Sequence, residues 1–208
     1  MGLETQIREI QRRGLDWIVG HFPGIGLDGR AEGFVALFKD FIPQSAKVLD
    51  IGGGWGFYAG PLERVRGCKV TVLDVVEPGF RKVPVVTYEG ERIPFPDCSF
   101  DVSLLVTVLH HMPDPEKVLA EARRVTRGPV IVVEDLYHTS LGRFWTVLRD
   151  TLFNLEFVGH PRNFRSREGW RRTFQALGFK IDHEQKIYTW VLGIRILNGI
   201  FVLSQADG

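Results

Sequence analysis

The stretch Val48-Leu-Asp-Ile-Gly-Gly-Gly-Trp-Gly56 constrains this chain more than any other. Aliphatic residues run into Asp50, glycines follow at Gly52, Gly53, Gly54 and Gly56, and an apolar segment able to continue as a helix comes next. A strand that breaks at glycines and re-forms as a helix turns backbone N–H groups and a positive helix end toward a ligand. Missing Cβ atoms let the backbone approach that ligand closely. Gly54-x-Gly56-x-x-Ala59 also satisfies a dinucleotide fingerprint, so the loop alone leaves the cofactor open. Farther on, the short apolar run Val70–Leu73 ends in Asp74, a carboxylate spaced to accept from ribose hydroxyls.

The 208 residues are enough for one domain with a substantial core. A formal net charge of +1 gives no support for non-specific nucleic-acid binding. Cys68 and Cys98 suit a reduced, cytoplasmic setting, and the sequence shows no metal-ligand spacing. The first residues are too charged for a signal peptide. The apolar stretch Ile187–Leu203 is interrupted by Arg195, Asn198 and glycines, and two strands account for it better than a membrane span.

The chain divides into an N-terminal helical cap over 1–42, an alternating core over 46–135, an insertion over 136–175 and terminal strands over 176–208. In the cap, Leu3, Ile7, Ile10, Leu15 and Ile18 form a roughly helical stripe, ended by the turn-rich His21–Gly29. A second helix is expected over Ala31–Phe41, with Phe34, Leu37, Phe38 and Phe41 on one face. Strands and helices then alternate, which implies a parallel sheet with crossover helices. Asp114 is placed to cap a helix over 115–126, and Gly128 to close it. In the insertion, Leu141, Trp145, Leu148, Leu152 and Leu155 make one stripe, while Phe144, Val147 and Phe153 fall off it. Such a helix is either sandwiched within the fold or a lid whose second face meets a substrate, a partner subunit or a membrane surface. The arginine-rich His160–Arg172 is either a solvated loop leading into a helix capped by Ser166 or an anion-holding segment.

Further blocks follow in order: Tyr88-Glu-Gly-Glu-Arg-Ile-Pro-Phe-Pro-Asp97, Ser99–Val106, Leu109-His-His-Met-Pro-Asp-Pro-Glu116, Leu119–Val125 and Val130-Ile-Val-Val133. With the glycine loop and Asp74, these make residues 46–135 resemble the class I S-adenosylmethionine (SAM)-dependent methyltransferases, and the small-molecule group among them. The resemblance implies an α/β, Rossmann-like, doubly wound sheet of seven strands, with helices on both faces. The sheet would be mostly parallel, with an antiparallel last strand near Gly199–Leu203. The two N-terminal helices would cover the cofactor cleft.

The resemblance also assigns roles. Asp50 would orient the glycine loop or reach the amino-acid end of SAM, and Gly52, Gly54 and Gly56 would let the backbone approach its methionine and ribose portions. Asp74 would take the ribose hydroxyls, and Val75 would lie against the adenine. Glu89, one methylene longer than the Asp such enzymes often carry, would accept from the adenine amino group, with Gly90 adding a backbone contact. Val106 and Thr107 would line the transfer region.

Methyl transfer needs the reactants held at near-attack distance with water excluded, and a base only where the nucleophile must lose a proton. His110 and His111 are candidate bases, or they serve packing and hydrogen bonding. Glu134, Asp135, Tyr137 and His138 follow the fifth strand on the edge where ligands bind. Phe144, Arg162 and Arg165 of the insertion suggest an apolar or aromatic acceptor with an acidic group. Three functions stay open: small-molecule methyl transfer, methyl transfer to RNA or protein, and cofactor binding without catalysis. The same apolar helix, over 139–157, would serve equally as a homodimer contact.

Overall fold

The computed structural model describes residues 3–22, 26–159 and 161–206. The terminal Met1, Gly2, Asp207 and Gly208, the centre of the expected turn at Pro23–Ile25, and His160 lie outside the described residues. In chain order the elements are α1 (Leu3–His21), α2 (Leu27–Phe38), a 3-10 turn (Lys39–Phe41), β1 (Lys47–Ile51), α3 (Ala59–Arg66), β2 (Lys69–Asp74) and β3 (Val85–Thr87). Then come β4 (Val102–Val106), a second 3-10 turn (Leu109–His111), α4 (Pro115–Val125), β5 (Val130–Asp135), α5 (Ser140–Phe153), α6 (Arg167–Ala176), β6 (Phe179–Val191) and β7 (Ile194–Gln205). One seven-stranded sheet has the order β3-β2-β1-β4-β5-β7-β6. β1 to β5 pair in parallel, and β7 runs antiparallel to β5 and β6. The order reverses between β1 and β4, the crevice where open α/β sheets bind ligands.

Alternation along the strands builds two cores. On one face Leu49, Ile51, Leu105, Val130, Val132 and Phe201 pack with α4 and with Trp170 and Phe174 of α6. On the other, Val48, Leu104, Val106, Ile131, Val133 and Ile200 pack with Phe34, Val35 and Phe38 of α2 and Leu62 of α3. Strands buried on both faces explain the continuous apolar runs that marked them in the sequence.

Several details depart from expectation. The antiparallel strand is longer than Gly199–Leu203: β5 pairs with Asn198–Leu203, and the β6–β7 ribbon continues past it to a turn at Leu192 and Gly193. Helix α2 starts at Leu27, inside the expected turn, and Leu37 is exposed because Phe34, Val35 and Phe38 already define the buried face. It packs on the sheet through those residues, and its Arg30 lies 4.0 Å from Asp135 at the end of β5. Leu3 and Ile10 of the α1 stripe are exposed, and Val19 in the second half is the helix's buried residue. Asp114 caps α4 by accepting from Lys117 N at 3.0 Å. Gly128 does not close that helix, which ends at the extended Thr126; a Cβ at Gly128 would collide with the Asp101 carbonyl.

The largest departure is α5. Its stripe at Leu141, Trp145, Leu148 and Leu152 is exposed, and its buried residues are Thr146, Asp150 and Thr151. Helical spacing was legible there and the burial direction was inverted. The helix lies across the carboxyl edge of the sheet, where the groups beneath it are polar.

Candidate active site

A crevice forms where β1 and β2 end. Gly52, Gly54 and Gly56 have φ of 68, 49 and 74°, the left-handed region that favours glycine. A Cβ at Gly52 would collide with Val108, whereas one at Gly54 would meet only Asp74 Oδ2, at 3.9 Å. The backbone at Gly54 therefore opens onto the crevice. Asp74 accepts from Gly54 N at 2.9 Å and from Val76 N at 3.3 Å, so one carboxylate joins the glycine loop to the end of β2. Val75 is exposed beside it, and a Cβ at Gly90 would sit 3.3 Å from Val75 Cγ1, which brings Gly90 to the same corner. Glu89 is exposed. Val106 is buried at the end of β4, and Thr107 follows in a left-handed conformation, φ 51°.

Asp50 gives the crevice its charge preference. Burial, and then the nearby Asp74, push its pKa from 3.8 up to about 7. Its Oδ2 is buried without a hydrogen-bond partner. Two close carboxylates, one of them unsatisfied, suit a cationic ligand. Beside them Tyr58 is partly buried near Arg30, Asp50 and Asp135; desolvation drives its phenol well above the usual range, although Arg30 opposes this. The Nε of Arg30 is also buried without a partner. Asp135 accepts from Asn198 Nδ2 at 2.5 Å, pairs with Arg149 of α5, and lies 4.0 Å from Arg30 Nη2.

Helix α1 covers the crevice through one residue. Asp16 accepts from Trp55 Nε1 at 2.8 Å and from Gly79 N at 2.9 Å, fastening α1 to the glycine loop and to the loop after β2. Asp16 carries no mark in the sequence, because only the fold brings α1 over those loops.

At the end of β5 the expected residues separate. Glu134 is fully buried, accepting from Val108 N at 3.0 Å, Leu109 N at 2.7 Å and His110 Nδ1 at 2.6 Å. It organises the turn after β4. Burial opposes charge on His110, but Glu134 and Asp150 outweigh it and raise the ring to about pKa 10. His111 pairs with Glu156 at 2.8 Å. Tyr137 is half-buried and His138 exposed, and both line a cleft of about 590 Å³ between α5 and the β6–β7 ribbon. Phe144 is on the outside of α5, edge-on to Trp145 at 5.4 Å between ring centroids. Arg162 is exposed, in a left-handed conformation. Arg165 bonds Glu116 at 2.6 Å, bonds Thr173, and lies over the Trp170 ring. These contacts tie Arg165 to the body at the rim of a polar basin of about 350 Å³, formed with Tyr137, Ser166 and Arg172.

Residues 49–132 match the family described as "Methyltransferase domain". The chain carries a class I S-adenosylmethionine-dependent methyltransferase domain. Its cofactor is SAM. The chain is 32% identical over 114 residues to the demethylmenaquinone methyltransferase of Renibacterium salmoninarum, covering 51% of this chain and 48% of that one. It is 27% identical over 169 residues to the 2-methyl-6-phytyl-1,4-hydroquinone methyltransferase 2 of Oryza sativa subsp. japonica, covering 75% and 45%. The chain thus spans about half the length of these curated relatives. Its fold is that of a Thermotoga maritima SAM-dependent methyltransferase described as a possible histamine N-methyltransferase, with TM-score 0.64, 23% identity and coverage of 90% and 96%.

Proposed function

We propose that this chain transfers the SAM methyl group to a small apolar or aromatic acceptor held between α5 and the β6–β7 ribbon. The observation that carries this reading is the cleft of about 590 Å³ at the carboxyl edge of β5, lined by Leu136, Tyr137, Trp145, Leu152, Tyr188 and Leu197. Its volume and apolar lining suit a small organic ligand. Two relatives are named for methylating quinone-type rings, which fits such a lining. SAM would supply an electrophilic methyl group, and a hydroxyl acceptor would release its proton to solvent. The chain's residues would bind: Asp50, Gly52, Gly54, Gly56, Asp74, Val75, Glu89 and Gly90 on the cofactor, Val106 and Thr107 at the transfer region. Arg30 and Arg149 would offer positive charge to an acidic or phenolic group beside Asp135. No described helix is long and apolar enough to cross a membrane, which is compatible with a cytoplasmic enzyme.

The test is turnover of labelled SAM against a panel of hydroquinones and phenols, with RNA and protein as separate arms. Methylation confined to the small aromatic compounds supports the proposal. Labelling of RNA or protein alone replaces it, and tight SAM binding with no turnover in any arm makes the domain a binding module.

The same surface supports a second reading. Phe144 is 56% exposed, Trp145 59% and Trp190 65%, an apolar patch of the kind that pairs subunits. Trp145 lines the cleft and Phe144 does not. A pocket predicts that Trp145→Ser lowers turnover with SAM affinity and mass unchanged; a homodimer predicts that Phe144→Ser halves the mass in solution.

A further inference from the structure

A cluster that the cofactor does not use lies where the 3-10 turn Leu109–His111 meets α5. His110 Nδ1 is 2.6 Å from Glu134 Oε2, and His111 Nδ1 is 2.8 Å from Glu156 Oε2. An ionised carboxylate can only accept, so each Nδ1 carries the hydrogen in these contacts. Both Nε2 atoms then turn toward one oxygen, Asp150 Oδ1, at 3.5 Å and 3.9 Å. The three atoms lie within 4.8 Å of one another. The two imidazole rings lie side by side, with centroids 4.2 Å apart. One divalent ion among the three atoms leaves both rings neutral.

We propose that His110, His111 and Asp150 bind a divalent first-row transition metal of the Zn²⁺ or Fe²⁺ type. Imidazole nitrogens suit such ions, whereas Mg²⁺ and Ca²⁺ favour all-oxygen sites. A tetrahedral site with bonds of about 2.0–2.1 Å has donors about 3.3–3.4 Å apart. The 3.5 Å separation is already close to that length, while the 3.9 Å one and the remaining pair, within 4.8 Å, would shorten on binding as the partly exposed His111 ring moves inward. Glu134 and Glu156 stand outside the ligands and fix the metal-binding tautomer of each ring, the usual arrangement around a ligating histidine. Glu134 is itself held by the backbone of Val108 and Leu109, so the His110 ring is rigidly placed. No metal-ligand spacing is visible in the sequence because the donors come from the turn after β4 and from α5, which only the fold brings together. The ion would fasten α5 across the carboxyl edge of the sheet, whatever acceptor the domain methylates.

The test uses the full chain, stripped with a chelator and titrated with Zn²⁺ by calorimetry, with bound metal counted by elemental analysis. One equivalent is expected, with Mg²⁺ failing to compete and Co²⁺ giving visible bands of a low-coordinate site. Glu156→Ala should weaken Zn²⁺ binding about 10–100-fold. Asp150→Asn and His111→Gln should each abolish stoichiometric uptake while the circular dichroism of the fold is retained. Should Asp150→Asn not fold, His111→Gln gives the same reading from a partly exposed ring. Substoichiometric uptake by the unaltered chain, equal affinity for Mg²⁺, or uptake unchanged in the soluble variants would overturn the proposal.

Discussion

The cofactor crevice and the α5 region sit side by side on one sheet edge and are built on opposite rules. In the crevice, each site residue ends a strand or follows it directly, so Asp50, Gly54 and Asp74 are placed by their own local structure. Around α5 the chemistry comes from tertiary contact: Asp150 meets His110 and His111, and Arg149 meets Asp135. The periodicity of α5 marked a helix correctly, yet the helix buries Thr146, Asp150 and Thr151 and exposes its leucines and aromatics. Apolar periodicity reports that a helix has two unlike faces; which face turns inward depends on what lies beneath. Buried polar groups require partners, and the polar edge of this sheet supplies them.

The strongest way to break this comparison is at Glu134, where the two regions join. Replacing it with Ala leaves His110 and two backbone N–H groups without their acceptor. Loss of a buried ion-pair partner costs about 3–5 kcal/mol, read as a fall in the midpoint of chemical denaturation. A change no larger than that of an exposed substitution would mean that the His110–Glu134 contact does not organise the turn.

In the crevice the expected effect falls on binding instead. Asp74→Ala should weaken SAM binding by about 1.5–3 kcal/mol, the scale of hydrogen bonds to a charged group, in calorimetry on a folded variant. Unchanged affinity would remove Asp74 from the site and with it the idea that strand ends place the cofactor ligands.

Asp50 sharpens the same point through pH. Its folded pKa, about 7, lies above the unfolded value of 3.8, so its contribution favours folding most below pH 3.8 and is lost as pH rises through about 7. A cationic ligand prefers the ionised carboxylate, and SAM affinity should therefore rise about tenfold between about pH 6 and about pH 8. Asp50→Asn should flatten that part of the profile, and a slope that survives the substitution would assign the titration to another group.

The smallest effect is expected on the outer face of α5. Phe144→Ser should change stability by no more than about 0.5 kcal/mol in the monomer, because the side chain is mostly exposed. A large loss would show that the face is covered in solution, and sedimentation would identify the cover as a second copy.

By itself the sequence determined a parallel sheet with a glycine loop at the end of its first strand, and its resemblance to the methyltransferases supplied the seven strands and the cofactor. Backbone hydrogen bonding and alternation are local, and a glycine loop between a strand and a helix can do little but cradle a ligand. That Ile187–Leu203 forms strands was also legible, since Arg195, Asn198 and glycines interrupt it as a membrane span; its pairing with β5 was not. Only the tertiary structure decided the latch at Asp16, the burial of Glu134, the inward face of α5 and the meeting of His110 and His111 with Asp150. Each joins residues distant in the chain, and their partners are chosen by packing across the sheet edge. A period of 3.6 residues carries no information about what will stand opposite.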